Sequence, residues 1–314
     1  MTEGDREVIA GDQGGVEDSR EDGVATEGSL DRPLGVILDS VGNFYLSDAT
    51  TGLIRSFECG EGGEPATLSI IGGLPIEGDL DGPQNESTFH APNGTDIYVN
   101  PETGEETLYI ADGANNLVRQ VQGGVPSPVA GVSGVNGWSG DGGLAIDAGL
   151  TIPYDVAVDR FGILYILDGG VIRRVRDGYI TTIAGAGSNE NYGELQLAID
   201  ADLQQPDSIA VNDQGTQLFV AEGTFIRVIN NPAGSVATIE PYIGMGVTGA
   251  VIDGAGYLET PVTPKWIDWN NGRLVFLGIT PVEYVIAEQG KVSVVAQKPD
   301  EPDGVFPEGT TSGV

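Results

Sequence analysis

Six residues with functional side chains follow regularly spaced prolines, and they are the candidates for a ligand site. They carry amide, phenol, carboxylate, amine and indole groups: Asn93, Tyr154, Asp155, Asp207, Lys265 and Trp266. Carboxylate oxygens are preferred calcium ligands, so the sequence predicts Asp155 and Asp207 as a metal-binding pair. The same side chains also cap turns by bonding their own backbone. No neighbouring pair combines an acid with a base, so the sequence predicts no catalytic residue.

Nucleophilic and zinc chemistry have few candidates in this chain. It contains one cysteine, Cys59, and one histidine, His90. A single cysteine excludes an intramolecular disulfide and a cysteine-based zinc site, and Ser–His or Cys–His catalysis would have His90 as its one base. We therefore expect no cofactor, and calcium is the cation that an alternative site would take.

The charge of the chain restricts its partners. There are 47 acidic residues against 14 basic ones, a net charge of −33. Such a field repels nucleic acids and anionic membranes, and it favours cations and basic partners. It is also typical of a salt-adapted or marine extracellular surface. We expect no membrane insertion, because no stretch of about 18 apolar residues occurs.

The N-terminal residues are polar and acidic, without the apolar region of a signal peptide. We nevertheless expect an extracellular, periplasmic or cell-surface location, with the export signal absent from this sequence.

A repeated unit positions the candidate residues. Its clearest copy spans residues 126–179, and the following stretch repeats it in the same order. One proline opens each copy, with spacings of 59, 61, 53 and 58 residues: Pro33, Pro92, Pro153, Pro206 and Pro264. After each proline come four short apolar runs, the first ending in Asp or Asn before turn residues. This pattern predicts four antiparallel strands per unit.

Several runs are apolar at successive positions, as in 163–167, which indicates strands buried on both faces. The sequence therefore predicts an all-β fold, a β-propeller of four-stranded antiparallel blades. A solenoid of parallel strands is the alternative, but the hairpin turns fit it less well. Segments 144–150 and 197–203 predict short crossovers whose leucine plugs the gap between blades.

We expect a single domain over residues 1–314, of the six-bladed type, with five complete blades. The sixth is predicted to be incomplete and formed by the termini, because residues 7–11 match a fourth strand and residues 306–309 resemble the start of another unit. Residues 298–314 are alternatively a linker, and the chain is alternatively a piece of a longer protein.

An acid at the end of the second strand recurs with an arginine in the third. The predicted structural pairs are Asp48 and Arg55, Asp112 and Arg119, Asp168 and Arg173, and Glu222 and Arg227. The fifth unit has Gly278 and Glu283 instead, so its blade should be held differently.

The pattern G-W-S-G-D-G-G, then L-x-x-P-x-x-[VI]-A-V-D, L-Y-I-x-D and I-R-x-V, resembles the NHL-repeat family. Residues 126–232 carry the resemblance best. It implies a propeller, typically six-bladed, in a family that includes protein-binding surfaces, RNA-binding domains, extracellular sensors, lyases and hydrolases. We expect a monomeric, non-enzymatic module that binds a protein, peptide or carbohydrate on its loop face. The alternative is a gluconolactonase-like, calcium-dependent hydrolase or lyase, with Asn93, Asp155 and Asp207 converging on the channel.

Overall fold

The computed structural model describes residues 23–25, 30–39, 41–58, 66–83, 86–185, 195–244, 246, 251–270, 272–279 and 282–297. These residues form five antiparallel sheets, each with four main strands. Three short 3-10 helices lie in the same ranges: Gly113–Asn115, Ala145–Asp147 and Ala198–Asp200. No helix in the described ranges has the length and apolarity needed to cross a membrane.

Each sheet is one blade, and its strands run from the inside outwards in chain order. Blade 1 contains β2 (Pro33–Leu38), β3 (Phe44–Asp48), β4 (Leu53–Glu58) and β5 (Thr67–Gly72), with β1 (Gly23–Val24) on its outer edge. Blade 2 contains β6 (Pro92–Val99), β7 (Glu106–Asp112), β8 (Leu117–Gln122) and β9 (Val125–Ala130). Blade 3 contains β10 (Pro153–Val158), β11 (Leu164–Asp168), β12 (Val171–Arg176) and β13 (Tyr179–Ala184).

The last two blades follow the same plan. Blade 4 contains β15 (Pro206–Val211), β16 (Gln217–Glu222), β17 (Phe225–Asn230) and β18 (Thr238–Ile243), with β14 (Gln196–Leu197) on its outer edge. Blade 5 contains β19 (Pro264–Asn270), β20 (Arg273–Ile279), β21 (Val282–Glu288) and β22 (Lys291–Gln297). The antiparallel pairing confirms the all-β propeller and excludes the parallel solenoid. Each of the five regularly spaced prolines is the first residue of an inner strand.

The core lies between blades rather than within them. Successive inner strands β2, β6, β10, β15 and β19 are neighbours around a central channel. One cluster joins blades 3 and 4 through Tyr165, Leu167 and Val220, and another joins blades 4 and 5 through Phe219 and Phe276. This packing explains the unalternating apolar runs, since both faces of an inner blade are covered.

The Asp or Asn that ends each first run shapes the following turn. Asp159 accepts hydrogen bonds from the N–H groups of Phe161 and Ile163, both at 2.9 Å. Asn212 accepts one from the Thr216 N–H group at 2.9 Å. A short side-chain acceptor thus replaces a backbone turn bond, which is why these residue types recur there.

The outer strands of blades 2 and 3 protect their free edges in two different ways. In blade 3, Ile180 and Thr182 donate their outward N–H groups to the loop 141–143. In blade 2, Pro126 and Pro128 occupy the same register positions and have no N–H group to donate. An unprotected edge invites pairing with other chains, so either solution prevents it.

The crossover segments each bury one leucine between blades, as predicted. Leu144 and Leu197, which open the two segments, are exposed. The closing leucines, Leu150 and Leu203, are buried with neighbouring alanines and pack between blades. The plug therefore exists, but the leucine that ends each segment provides it.

Five complete blades are confirmed, whereas a sixth is not seen in the described part of the chain. The segments from which it was predicted, 7–11 and 306–309, lie outside the described residues, as does Cys59. Blade 1 exposes Val36 and Leu38, and blade 5 exposes Ile279, Tyr284 and Val295. These apolar side chains point away from the neighbouring blades 2 and 4.

Candidate binding site

Acid–arginine pairs fix the loops that lead from one blade to the next. The arginine-to-carboxylate distances are 3.8 Å for Arg55 and Asp48, 3.5 Å for Arg119 and Asp112, 3.8 Å for Arg173 and Asp168, and 2.8 Å for Arg227 and Glu222. All eight side chains are buried. The structure therefore places each acid beside the arginine with which the sequence pairs it.

The carboxylate of each pair accepts N–H groups from the residues just before the inner strand of its own blade. Asp168 accepts from Thr151 at 2.7 Å and from Ile152 at 2.9 Å. Asp112 accepts from His90 at 2.9 Å. Burial raises the pKa of Asp112 and of Asp168 to about 6, although the hydrogen bonds and the arginines favour the charged forms.

The arginine holds the carbonyl groups of the same loop. Arg173 donates to Ser139 O at 3.0 Å and to Gly149 O at 3.2 Å, and it pairs with Asp141 at 2.9 Å. Arg119 similarly donates to Leu80 O at 2.8 Å and pairs with Asp81. The acid therefore accepts backbone N–H groups of an interblade loop, and the arginine donates to backbone C=O groups of the same loop.

Blade 5 uses another arrangement, as expected from its departure from the pattern. Glu283, at the start of β21, is buried and accepts the Val251 N–H group at 2.8 Å. In blade 5 the carboxylate that accepts a hydrogen bond from the preceding loop thus belongs to the third strand, whereas in the other four blades it belongs to the second.

Asp155 is part of the channel wall. Its Oδ2 accepts the Ser208 hydroxyl at 2.7 Å and the Ile209 N–H group at 2.9 Å, both from the next inner strand. Ser208 in turn accepts the Ile267 N–H group at 3.2 Å. These bonds link blades 3, 4 and 5 in succession. Burial raises the pKa of Asp155 to about 7 despite these donors.

The other candidates lie around the channel mouth without forming one site. Lys265 donates to Asp207 in an exposed ion pair. Asn93 donates from its side chain to Pro153 O at 3.2 Å, which links blades 2 and 3. Tyr154 is exposed, and Trp266 lines the channel. Asp155 and Asp207 thus engage different partners, and the described residues contain no group of three or more His, Cys, Asp or Glu placed to hold a metal ion.

Sequence reasoning missed two channel carboxylates, Asp96 and Asp268. Both stand four residues after an inner-strand proline and have equivalent register in their sheets. Asp96 accepts the Val158 N–H group of the next inner strand at 2.7 Å. Burial raises the pKa of Asp96 to about 8 and that of Asp268 to about 6. An acid within the aromatic and apolar run 266–269 was the available signal for Asp268, whereas Asp96 follows polar residues and had no such signal.

The five inner strands enclose a channel cavity of about 870 Å³. Its lining includes the three carboxylates Asp96, Asp155 and Asp268 together with Trp266 and Trp269. Two of these acids already receive hydrogen bonds from a neighbouring blade, so the channel polar groups hold blades together.

Comparisons with known proteins agree with this architecture. A family model described as the teneurin NHL domain matches residues 133–191. Human teneurin-4 is 34% identical over 99 residues, which cover 29% of this chain and 4% of teneurin-4. Bovine NHL repeat-containing protein 2 is 30% identical over 237 residues, covering 65% of this chain and 31% of that protein. The chain thus spans only a small part of these relatives.

Two solved structures share the fold at low sequence identity. A gluconolactonase from Xanthomonas campestris has a TM-score of 0.55 and 14% identity, covering 86% of this chain and 77% of that one. A chain of a nidogen/laminin complex has a TM-score of 0.50 and 15% identity, covering 84% of each. The blades and their interblade bonds define a β-propeller. The family model and the bovine relative both carry NHL repeats, so the comparisons support the NHL-repeat β-propeller family that the sequence predicted.

Proposed function

We propose that this propeller is a non-enzymatic binding module, which recognises a protein, peptide or carbohydrate on the end where its interblade loops meet. The observation that carries the proposal is that two of the three channel carboxylates, Asp155 and Asp96, are bonded to a neighbouring blade. Asp155 accepts two donors from the next inner strand, and Asp96 accepts one. A general base needs an oxygen free to take a proton from substrate, and these oxygens are occupied by the wall.

The remaining candidates support the same conclusion. Asp207 is paired with Lys265, and Asn93 is bonded to Pro153 O. A calcium ion takes six to eight oxygen ligands, and these side chains would have to leave their partners to supply them. The NHL likeness supports a binding role, because the matched family model is the teneurin NHL domain and the NHL-repeat family includes protein-binding surfaces.

Turnover and calcium assays test this proposal. The purified chain is incubated with δ-gluconolactone and with p-nitrophenyl acetate, with and without calcium, beside the variant Asp155→Asn. We expect rates equal to the buffer blank and no saturable calcium heat in a calorimetric titration. Turnover that requires calcium and is lost in Asp155→Asn would contradict the proposed binding module and identify the chain as a hydrolase.

We also infer that a sixth blade completes the ring between blades 5 and 1. Asp268 has the register of Asp96, and its Oδ1 accepts the N–H group of the next residue in the same way, at 2.7 Å. Asp96 Oδ2 reaches the next inner strand, whereas Asp268 Oδ2 has no partner among the described residues. The exposed apolar side chains on both flanking blades support a covering sheet.

Substitution on the open face of blade 1 tests the sixth blade. Val36→Asp would bury a charge if a sheet covers this face, and we expect a loss of about 2–3 kcal/mol in the free energy of unfolding. The control Val41→Asp lies on an exposed turn and should change it by less than about 0.5 kcal/mol. Equal small effects would mean that the face is open to water.

We propose a location outside the cytoplasm and a monomeric state. The acidic surface and the resemblance to extracellular NHL sensor domains support this. Gel filtration with light scattering tests the oligomeric state.

A further inference from the structure

The two ends of the propeller differ in charge. We name the end where the inner strands begin the connection end; the interblade connections lead into it, and the structure describes residues 73–83, 86–91, 131–152, 195–205 and 251–263 of them. These described parts contain ten acidic residues and no lysine or arginine. Lys265 is an exposed cation at this end, and it is paired with Asp207. Arg32, one residue before β2, is another exposed cation at this end. Acids therefore outnumber cations on the surface that a basic partner would meet there.

The opposite end carries the exposed basic residues of the blades. Arg160, Arg176, Arg273 and Lys291 lie at the turns that join the first to the second strand or the third to the fourth. Arg176 and Arg273 are paired with Asp177 and Glu288, also at that end. Exposed acids such as Glu102, Glu105 and Asp213 also lie at the opposite end, but the four basic residues there offset part of that charge. A cationic partner is therefore attracted more strongly to the connection end.

An aromatic side chain stands exposed within the acidic connection end. Trp138 is 54% exposed, yet its indole N–H group donates to Asp168 O at 3.1 Å. The loop below it is fixed by backbone bonds from Gly137 N to Leu150 O at 3.3 Å and from Ser139 N to Gly149 O at 3.4 Å. The ring is therefore exposed but held in one orientation.

Two further exposed side chains lie at the same end of blade 3. Ile152 is 38% exposed and Tyr154 is 44% exposed, at the start of β10. The Asp168 carboxylate accepts the Ile152 N–H group, while the Asp168 carbonyl accepts the Trp138 indole. One buried residue thus positions both sides of a surface that we name the Trp138 platform: Trp138, Ile152 and Tyr154. Rigid exposed aromatics of this kind are typical binding hot spots.

We propose that the Trp138 platform binds a basic polypeptide segment, with an apolar side chain of the partner on the indole and its Lys or Arg residues against the surrounding acids. This deepens the proposed function and rests on it. Aromatic faces attract ammonium and guanidinium groups, and the acidic connections increase that attraction. A carbohydrate would use the aromatic face but would gain nothing from the charge.

Binding of a labelled peptide tests the proposal. The probe is a fluorescein-labelled peptide of Lys-Leu-Gly-Ser repeats, and its counterpart has Glu in place of Lys. Fluorescence anisotropy is followed at low and at physiological ionic strength. We expect saturable binding of the basic peptide, weakened by salt, and none of the acidic one. Equal binding of both peptides, or none of either, overturns the proposal.

A matched pair of variants locates the site. Trp138→Ala should weaken binding by about tenfold or more, the loss expected for a hot-spot aromatic. Phe161→Ala removes an aromatic that is 63% exposed at the opposite end, and it should change binding by less than about twofold. Circular dichroism confirms that both variants fold. If the two variants change the peptide affinity equally, the Trp138 platform is not the binding site.

This test separates the inference from the proposed function. Failure of the basic peptide, while the lactone and ester assays still show no turnover, rejects the platform and leaves a binding module with another partner. Binding of neutral oligosaccharides that is insensitive to salt would likewise reject a basic polypeptide as the partner.

Discussion

Replacing Arg173 by methionine tests whether the acid–arginine pairs hold the interblade loops. Methionine fills most of the arginine volume but removes the charge and every donor. The change deprives Ser139 O and Gly149 O of their bonds and leaves Asp168 buried without its cation. Breaking a buried pair by removing one partner costs about 3–5 kcal/mol, so we expect Arg173→Met to lower the free energy of unfolding by that amount.

The measurement is equilibrium unfolding in urea, followed by circular dichroism and tryptophan fluorescence. Arg176→Met is the control, because Arg176 is an exposed arginine on the same strand whose partner Asp177 is also exposed. It should cost less than about 0.5 kcal/mol. The double variant Arg173→Met with Asp168→Asn should recover about 1–3 kcal/mol of the loss, since it removes the unpaired buried charge.

The single variant should also loosen Trp138, because Ser139 O is one of the groups that Arg173 holds. Lower fluorescence anisotropy in the native state would show this. The reasoning is refuted if Arg173→Met costs no more than Arg176→Met, or if the double variant is less stable than Arg173→Met alone.

Two further predictions follow from the channel and from the outer edges. The pKa values of Asp96, about 8, and Asp155, about 7, lie above their unfolded values, so the folded chain holds more protons and its stability should fall as pH rises from about 4 to 8. Melting temperatures across that range check this; Asp155→Asn should flatten the slope, and a stability that rises with pH would contradict it. Restoring two outward N–H groups with Pro126→Ile and Pro128→Thr should cause concentration-dependent association in gel filtration, whereas Ser127→Thr in the same strand should not. A double variant that stays monomeric at high concentration would show that prolines do not protect this edge.

The fold was predictable because its determinants are local and repeated. The prolines mark the first residues of the inner strands, and runs such as 164–168 are strands because both faces of a blade are covered. The acid and arginine of each pair stand five to seven residues apart on adjacent strands, so antiparallel pairing brings them together. Periodicity and residue type are sufficient for conclusions of this kind.

The candidate site was less predictable because it depends on how blades pack against each other. Asp155 was recognised as a channel residue, but its partners Ser208 and Ile209 are more than fifty positions away and belong to the next blade. Asp96 and Asp268 were missed because only the packing of the inner strands shows that the position four residues after the proline lines the channel. Nothing in the local sequence gives the register between blades.

The burial of the arginines connects the stability of the connection end with its charge. Loops of this length and glycine content need hydrogen-bond donors for their carbonyl groups. Surface lysines could supply these donors, but they would also neutralise the negative charge of the surface. Instead, Arg119 and Arg173 donate from beneath, with side chains that are fully buried. The cations that order the loops are thus removed from the surface. Asp81 and Asp141 pair with these arginines, and the other loop acids remain available to a partner. It follows that ordering of Trp138 and attraction of a basic partner depend on the same residue. Arg173→Met should therefore weaken peptide binding even under conditions where the variant is fully folded.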